Sequence, residues 1–304
     1  MQWEETTFTD YILFNLKYRH PEEIWVYKFS RKMEAQTGAD MEFWLTGPSG
    51  KWFGLRIQAK VINLSTFEYP HLYYKPSGKQ PQYETLIQSS LGVYPKAVPL
   101  YLLYTYYPDA FPPYLWCQWE CRDKIFRSAH SWRPRYGFKT SLGCSWIPAR
   151  QVKNLAEQYE KPPTDFQRLH SFMSPWHCIV CCYQFIPTDR PRDLPHRAFY
   201  WWQEVIADKD IAIDLVERPP LYVQQLLEGK ISEMQVPEER AMQALVVIAE
   251  REEKKEEPDE VPNHRWNESG SGGISSGKMA EQWPENDWWN TSGSEKLLDE
   301  ELPF

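Results

Sequence analysis

Apolar and polar residues alternate most regularly between residues 38 and 62, where two strand-like runs flank the sequence Gly47-Pro48-Ser49-Gly50. A period of two is typical of a strand with one buried face, and proline with glycine favours a tight turn. The pattern therefore predicts a β-hairpin with an apolar face and a polar face. Folded about its turn, this hairpin brings Asp40 opposite Ile57 or Gln58. The polar positions toward its open end are Asp40, Glu42, Gln58 and Lys60.

The sequence on either side of the hairpin predicts an alternation of helices and strands. The predicted elements are a helix at 7–19, a strand at 24–29, the two hairpin strands, a helix at 82–91 and a strand at 98–106. The order is helix, strand, strand, strand, helix, strand. This order predicts a mixed α/β core in the first third of the chain.

Weaker patterns in the second half of the chain predict an α+β region. The predicted elements are a strand at 140–147, a helix beginning near Pro148, a short helix at 223–227 and a longer helix at 237–253. The Cys-rich sequence from Trp176 to Tyr183 is interpreted as a buried strand, in which cysteine packs as a small apolar side chain. A structural Zn²⁺ held by cysteine pairs is an alternative that this interpretation does not favour. The pairs are Cys117 with Cys121 and Cys178 with Cys181.

Charge is distributed unevenly along the chain. The formal net charge is −8, but residues 250–304 contain 15 acidic and 6 basic residues, a charge of −9 that leaves the remainder close to neutral. The segment 251–304 lacks the apolar density needed to order itself, so we expect a disordered acidic tail that would suit a protein partner. No apolar run is long enough to span a membrane and the first residues lack a signal-peptide pattern, so a cytoplasmic location is expected.

The residues of the hairpin carry a resemblance to a known superfamily. An acid that follows Gly38-Ala39, a hairpin, and Gln58-Ala59-Lys60 on the next strand resemble the PD-(D/E)XK nucleases. They are most similar to the Mrr-like branch, in which glutamine replaces the first acid of the half-motif. The resemblance implies a restriction-endonuclease-like αβββαβ core at residues 1–110. The α+β region at 111–250 would then be an extension packed on that core.

The resemblance also implies an activity and roles for individual residues. The expected activity is hydrolysis of DNA phosphodiester bonds with Mg²⁺ or Mn²⁺, in a prokaryote as defence against foreign DNA. Asp40 would anchor the metal ion together with Gln58 and the backbone carbonyl of Ala59. Lys60 would orient the attacking water.

Metal binding needs a second acid beside Asp40, because the Gln58 side chain is uncharged and Mg²⁺ prefers negatively charged oxygen ligands. Glu34 and Glu42 are the candidates for this metal ligand and for a catalytic role. For substrate binding, the candidates are Gln82 and Tyr83 at the start of the next helix, with Lys75 and Lys79 in the loop before it. Lysine suits phosphate contacts and tyrosine suits base stacking.

Other interpretations of the same residues stay open. The polar positions of the hairpin would also suit a solvated strand face without any function. A second hypothesis is a non-catalytic nucleic-acid-binding or scaffold protein with a nuclease-like fold. RNA is an alternative substrate, and a homodimer is an alternative assembly.

Overall fold

The structure is a computed structural model, and it describes residues 5–29, 37–105, 144–176, 178–181, 186–206, 212–231 and 236–252. The helices are α1 (Glu5–Arg19), α2 (Gln82–Leu91), α3 (Ala149–Gln158), α4 (Phe166–Leu169), α5 (Cys178–Cys181), α6 (Leu194–Trp201) and α7 (Leu221–Leu227). The strands are β1 (Ile24–Lys28), β2 (Met41–Thr46), β3 (Trp52–Val61), β4 (Val98–Tyr104), β5 (Cys144–Pro148), β6 (Ser174–Pro175) and β7 (Ala244–Ala249). Short 3₁₀ segments at His170–Phe172 and Glu238–Arg240 and a π-helical turn at Trp202–Ile206 complete the assigned elements.

The described strands form one mixed seven-stranded sheet in the order β1-β7-β2-β3-β4-β5-β6. Strands β2 and β3 are the two arms of the predicted hairpin and pair antiparallel, with Met41 opposite Ile57. Strand β4 pairs parallel to β3, and α2 lies in the connection between them, as a parallel pair requires. The predicted mixed α/β class, the hairpin and the order of the first six elements are therefore confirmed.

Strand β7 lies between β1 and β2, antiparallel to the first and parallel to the second. The predicted helix at 237–253 is therefore wrong. The sequence Ala-Leu-Val-Val-Ile-Ala is apolar throughout and rich in β-branched residues, as expected for a central strand covered on both faces. Strand β7 comes from the end of the described chain but pairs with strands of its first fifth, so the division near residue 110 is not a boundary of the sheet. The described residues belong to one compact unit, Met1–Lys254.

Helices cover both faces of the sheet. On one face, α1 and α6 pack against the predicted apolar positions of the hairpin, including Phe43 and Ile57. On the other face, α2 and α3 cover one apolar cluster around Tyr101 and Leu103, and α7 covers a second around Trp44. The hairpin therefore has two buried faces, and its polar side chains lie inside the protein rather than on an open surface.

Two further predictions in the second half differ in outcome. The strand ending near Ile147 and the helix after Pro148 are confirmed as β5 and α3, and the short helix is confirmed as α7. The predicted strand at 176–183 is wrong over its described part, because Cys178–Cys181 is a helical turn. Cys178 is nonetheless buried, consistent with its predicted packing role. None of the described helices is long and apolar enough to cross a membrane.

Candidate functional site

Asp40 directly precedes β2, and the backbone fixes its position from two sides. Its amide donates to the carbonyl of Ile57 at 2.8 Å, which starts the pairing of β2 with β3. Its carbonyl accepts from the amides of Gln243 at 2.8 Å and Ala244 at 3.0 Å, which starts the pairing with β7. Gly38, two residues earlier, has a φ of +69°, a conformation that favours glycine. The predicted acid is thus held where three strands meet.

The side chain of Asp40 faces Gln58 and Ala59 on β3, as the sequence predicts. Its Oδ2 accepts from the backbone amide of Ala59 at 2.7 Å and from Nε2 of Gln58. The same Nε2 also donates to the carbonyl oxygen of Ala59 at 3.2 Å. The Asp40 carboxylate and the Ala59 carbonyl therefore converge on one point, and the N–H donor of an amide occupies that point.

Gln82 extends this network from the first residue of α2. Its Nε2 donates to Oε1 of Gln58 at 2.6 Å, so the two amides and the carboxylate of Asp40 form a chain of hydrogen bonds. The Oε1 of Gln82 is buried and has no hydrogen-bond partner among the described residues. A buried acceptor without a partner is costly, which makes this atom a position for a donor from a ligand or water.

Lys60 lies on the same face of β3 as Gln58, two residues further along the strand. The residue is 7% exposed, so Lys60 is buried with the other polar residues of the hairpin. The structure thus keeps a carboxylate, an amide and a lysine together on one face of two paired strands, as the hairpin pattern predicts.

Glu42 faces the same side of the sheet but is bound by other groups. Its Oε2 accepts from Arg56 at 2.5 Å and from Arg240 at 3.4 Å. Its Oε1 accepts from Trp44 Nε1 at 2.7 Å and from the Tyr222 hydroxyl. Burial alone would raise the pKa of Glu42, but the two arginines and the two donors outweigh it and hold that pKa below its ordinary value.

Because both oxygens of Glu42 are occupied by cations and donors, this arrangement favours a structural role over metal binding. Arg240 continues the cluster toward the loop after α2, where it donates to the carbonyls of Val93, at 2.7 Å, and Pro95. The other acid considered from the sequence, Glu34, lies outside the described residues.

The predicted substrate-binding residues separate into two groups. Gln82 belongs to the network above, whereas Tyr83 is buried in the apolar cluster with Leu86, and burial raises the pKa of its hydroxyl. Lys75 and Lys79 are exposed in the loop that leads into α2. The structure therefore places the two lysines in solvent shortly before Gln82, while Tyr83 packs in the core.

Sequence reasoning missed the contribution of residues 240–243. Gln243 Nε2 donates to Asp40 Oδ1 at 3.2 Å, and Arg240 completes the cluster around Glu42. Both residues are about 200 positions away from their partners, and no local pattern links them. Only the insertion of β7 beside β2 brings them together.

The groups that face the Asp40 carboxylate are N–H donors from Ala59, Gln58 and Gln243. The oxygen atoms of the same network are those of the carboxylate, the Ala59 carbonyl and the side-chain amides, and Mg²⁺ and Mn²⁺ accept oxygen ligands of these kinds. Within the described ranges no group of three or more His, Cys, Asp or Glu residues is placed to hold a metal ion. Cys117 and Cys121, the first cysteine pair of the alternative zinc site, lie outside those ranges.

Comparisons with known proteins place the chain in a family without assigning it an activity. No curated protein and no solved structure matches it significantly. Residues 1–255 match DUF6615, described as a family of unknown function, and these residues make up most of the 304-residue chain. The chain therefore belongs to the DUF6615 family.

Proposed function

We propose that this protein is a metal-dependent nuclease with a restriction-endonuclease-like core, which hydrolyses DNA phosphodiester bonds. The observation that carries the proposal is the convergence of the Asp40 carboxylate and the Ala59 carbonyl on one point, with the Gln58 amide between them. The resemblance of this segment to Mrr-like nucleases assigns metal binding to the same three residues. A role in prokaryotic defence stays a prediction from that resemblance.

The residues fit a hard divalent cation in the chemistry of their donors. Asp40, the Ala59 carbonyl and the amide oxygen of Gln58 would hold Mg²⁺ or Mn²⁺ in the place now taken by a hydrogen-bond donor. When bound, such a cation offsets charge on a phosphate and lowers the pKa of a bound water. Glu34 stays the candidate for a further acidic ligand.

The other residues of the site would bind and orient the substrate. Lys60 lies two residues from Gln58 on the same strand face and would bind the phosphate or hold the attacking water. Lys75 and Lys79, exposed before α2, would contact the DNA backbone, since lysine binds phosphate as a point charge. The partnerless Oε1 of Gln82 would accept a hydrogen bond from water or substrate.

A second candidate function is nucleic-acid binding without cleavage. The observation that favours it is that Asp40 is the one carboxylate joined to Gln58 and Ala59 in the described part of the chain, whereas Glu42 is held by two arginines. The two candidates differ in whether bonds in DNA are broken when a divalent cation is supplied.

Cleavage of supercoiled plasmid with Mg²⁺, with Mn²⁺ and with EDTA tests the proposal. Lys60→Met and Asp40→Asn should each lower the rate about 100-fold or more, because each removes a charge from the site. Both substitutions keep the volume of a buried side chain. Lys230→Met and Asp189→Asn are matched controls at exposed positions and should cut at the wild-type rate.

Cleavage by the wild type that persists in EDTA would contradict the metal-dependent mechanism. Cleavage by Lys60→Met and Asp40→Asn at the rate of their controls would show that the site is elsewhere. DNA binding without cleavage under all metal conditions would favour the second candidate. A parallel reaction with single-stranded and double-stranded RNA separates the two substrate classes.

A further inference from the structure

We propose that Gln243 is a ligand of the cation site, supplied by the segment that leads into β7. The inference rests on the proposed nuclease function, since it adds a residue to the same site. It makes the site dependent on a part of the chain that lies about 200 residues beyond Asp40.

The side chain of Gln243 makes a contact with Asp40 that is separate from the backbone hydrogen bonds of Gln243. Its backbone amide donates to the Asp40 carbonyl at 2.8 Å, and its carbonyl accepts from the Phe29 amide at 2.7 Å. Both backbone groups of Gln243 are thus already paired within the sheet. The side chain nevertheless turns toward the carboxylate, where Nε2 donates to Oδ1 of Asp40 at 3.2 Å.

Two amides therefore contact the two oxygens of one carboxylate. Gln58 donates to Oδ2 of Asp40 and Gln243 donates to Oδ1. An amide group has nearly the same shape on its oxygen and nitrogen sides, so either side can face a neighbour according to the charge there. A cation on Asp40 would favour the oxygen side of both amides. Gln243 is half-buried, so part of the residue contacts solvent.

Substitutions at Gln243 separate a ligand from a packing residue. Gln243→Glu adds a second carboxylate of similar shape, and it should tighten Mn²⁺ binding about tenfold or more, because affinity for hard cations rises with ligand charge. Gln243→Leu removes the polar group and should weaken Mn²⁺ binding about tenfold. Gln158→Glu adds the same charge at an exposed position of α3 and should leave binding unchanged.

The measurement is Mn²⁺ binding by electron paramagnetic resonance of the free ion, without DNA, on the full chain. Thermal unfolding in EDTA and in Mn²⁺ gives a second readout that needs no activity. In EDTA the carboxylate introduced by Gln243→Glu should repel that of Asp40 and lower the melting temperature of the variant. Addition of Mn²⁺ should then raise the melting temperature of the variant more than that of the wild type.

The outcomes separate this inference from the proposed function. If the wild type binds Mn²⁺ and Asp40→Asn does not, but both Gln243 variants bind as the wild type does, the inference is overturned and the proposed function stands. If the wild type shows no saturable Mn²⁺ binding, the proposed function and the inference both fail. Tighter binding by Gln158→Glu to the same extent as by Gln243→Glu would also overturn the inference, since the gain would then be a general effect of charge.

Discussion

Replacing Glu42 by glutamine removes the carboxylate that lies between two arginines inside the protein. The Glu42 and Arg56 side chains have no exposed area, and that of Arg240 is 1% exposed. Glutamine fills almost the same volume and still accepts hydrogen bonds, so the main change is the loss of one negative charge. Two buried guanidinium groups would then lie without a carboxylate between them.

The expected loss of folding free energy is about 3–5 kcal/mol, the range found when one partner of a buried ion pair is removed. Such a loss is a large part of the total stability of a domain, which is about 5–15 kcal/mol. The matched control is Glu217→Gln. Glu217 pairs with Lys51, but its side chain is 79% exposed, so its loss should change stability by about 0–1 kcal/mol.

Urea unfolding followed by tryptophan fluorescence at pH 7 measures both variants against the wild type. The pH dependence has a defined sign, because the folded protein holds the pKa of Glu42 below its ordinary value of 4.5. The carboxylate therefore stabilises the fold at pH values above 4.5, and this contribution is lost as the pH falls through the lower pKa of the folded state. The difference between wild type and Glu42→Gln should shrink over that acidic range.

A loss no greater than that of Glu217→Gln would refute the structural role assigned to Glu42. In that case a selective loss of Mn²⁺ binding with unchanged stability would return Glu42 to the metal site. The double substitution Glu42→Leu with Arg56→Met keeps the test decisive if Glu42→Gln does not fold. Because it removes a cation together with the anion, it should recover part of the lost stability.

Two further substitutions and a pair of truncated chains test how the fold around the site is held together. Gly38→Ala should lower the free energy of unfolding in urea by about 1–3 kcal/mol, because Gly38 has a positive φ and an added Cβ would lie 2.9 Å from the Gln82 carbonyl oxygen. A variant as stable as the wild type would contradict this. The Asp193 carboxylate accepts a hydrogen bond from the Ser49 amide at 2.9 Å. Burial alone would raise the pKa of Asp193, but hydrogen bonds from Ser49 and His196 outweigh burial and lower that pKa. Asp193→Asn should therefore destabilise the hairpin turn above the ordinary pKa of 3.8, with the difference lost as pH falls below it. A chain that ends at residue 235 lacks β7 and should show no cooperative unfolding by circular dichroism, whereas a chain that ends at 254 keeps the compact unit and should unfold cooperatively.

The local sequence determined the hairpin and the first elements because their signals are short in range. The turn at Gly47–Gly50 and the period-two alternation set the register of β2 and β3, which places Asp40 beside Gln58. Gly92 and the spacing of Leu86 and Leu91 were enough to predict the bounds of α2. Each of these signals depends on residues within about ten positions of each other.

The burial of the polar face could not be predicted from the same alternation. A strand with polar residues at every second position normally has one face in solvent. Here that face is covered by α2 and α7, and Glu42 and Arg56 neutralise each other within it. Whether a polar strand face meets water or another layer depends on helices from elsewhere in the chain.

The sequence by itself therefore determined the hairpin, the motif Gln58-Ala59-Lys60 and their closeness to Asp40. Only the tertiary structure decided that 244–249 is a strand, since an apolar run of this length suits a buried helix as well as a central strand. The same insertion brings Gln243 to Asp40 and Arg240 to Glu42. Contacts across 200 residues follow from how strands pair in the sheet, and no spacing along the chain encodes them.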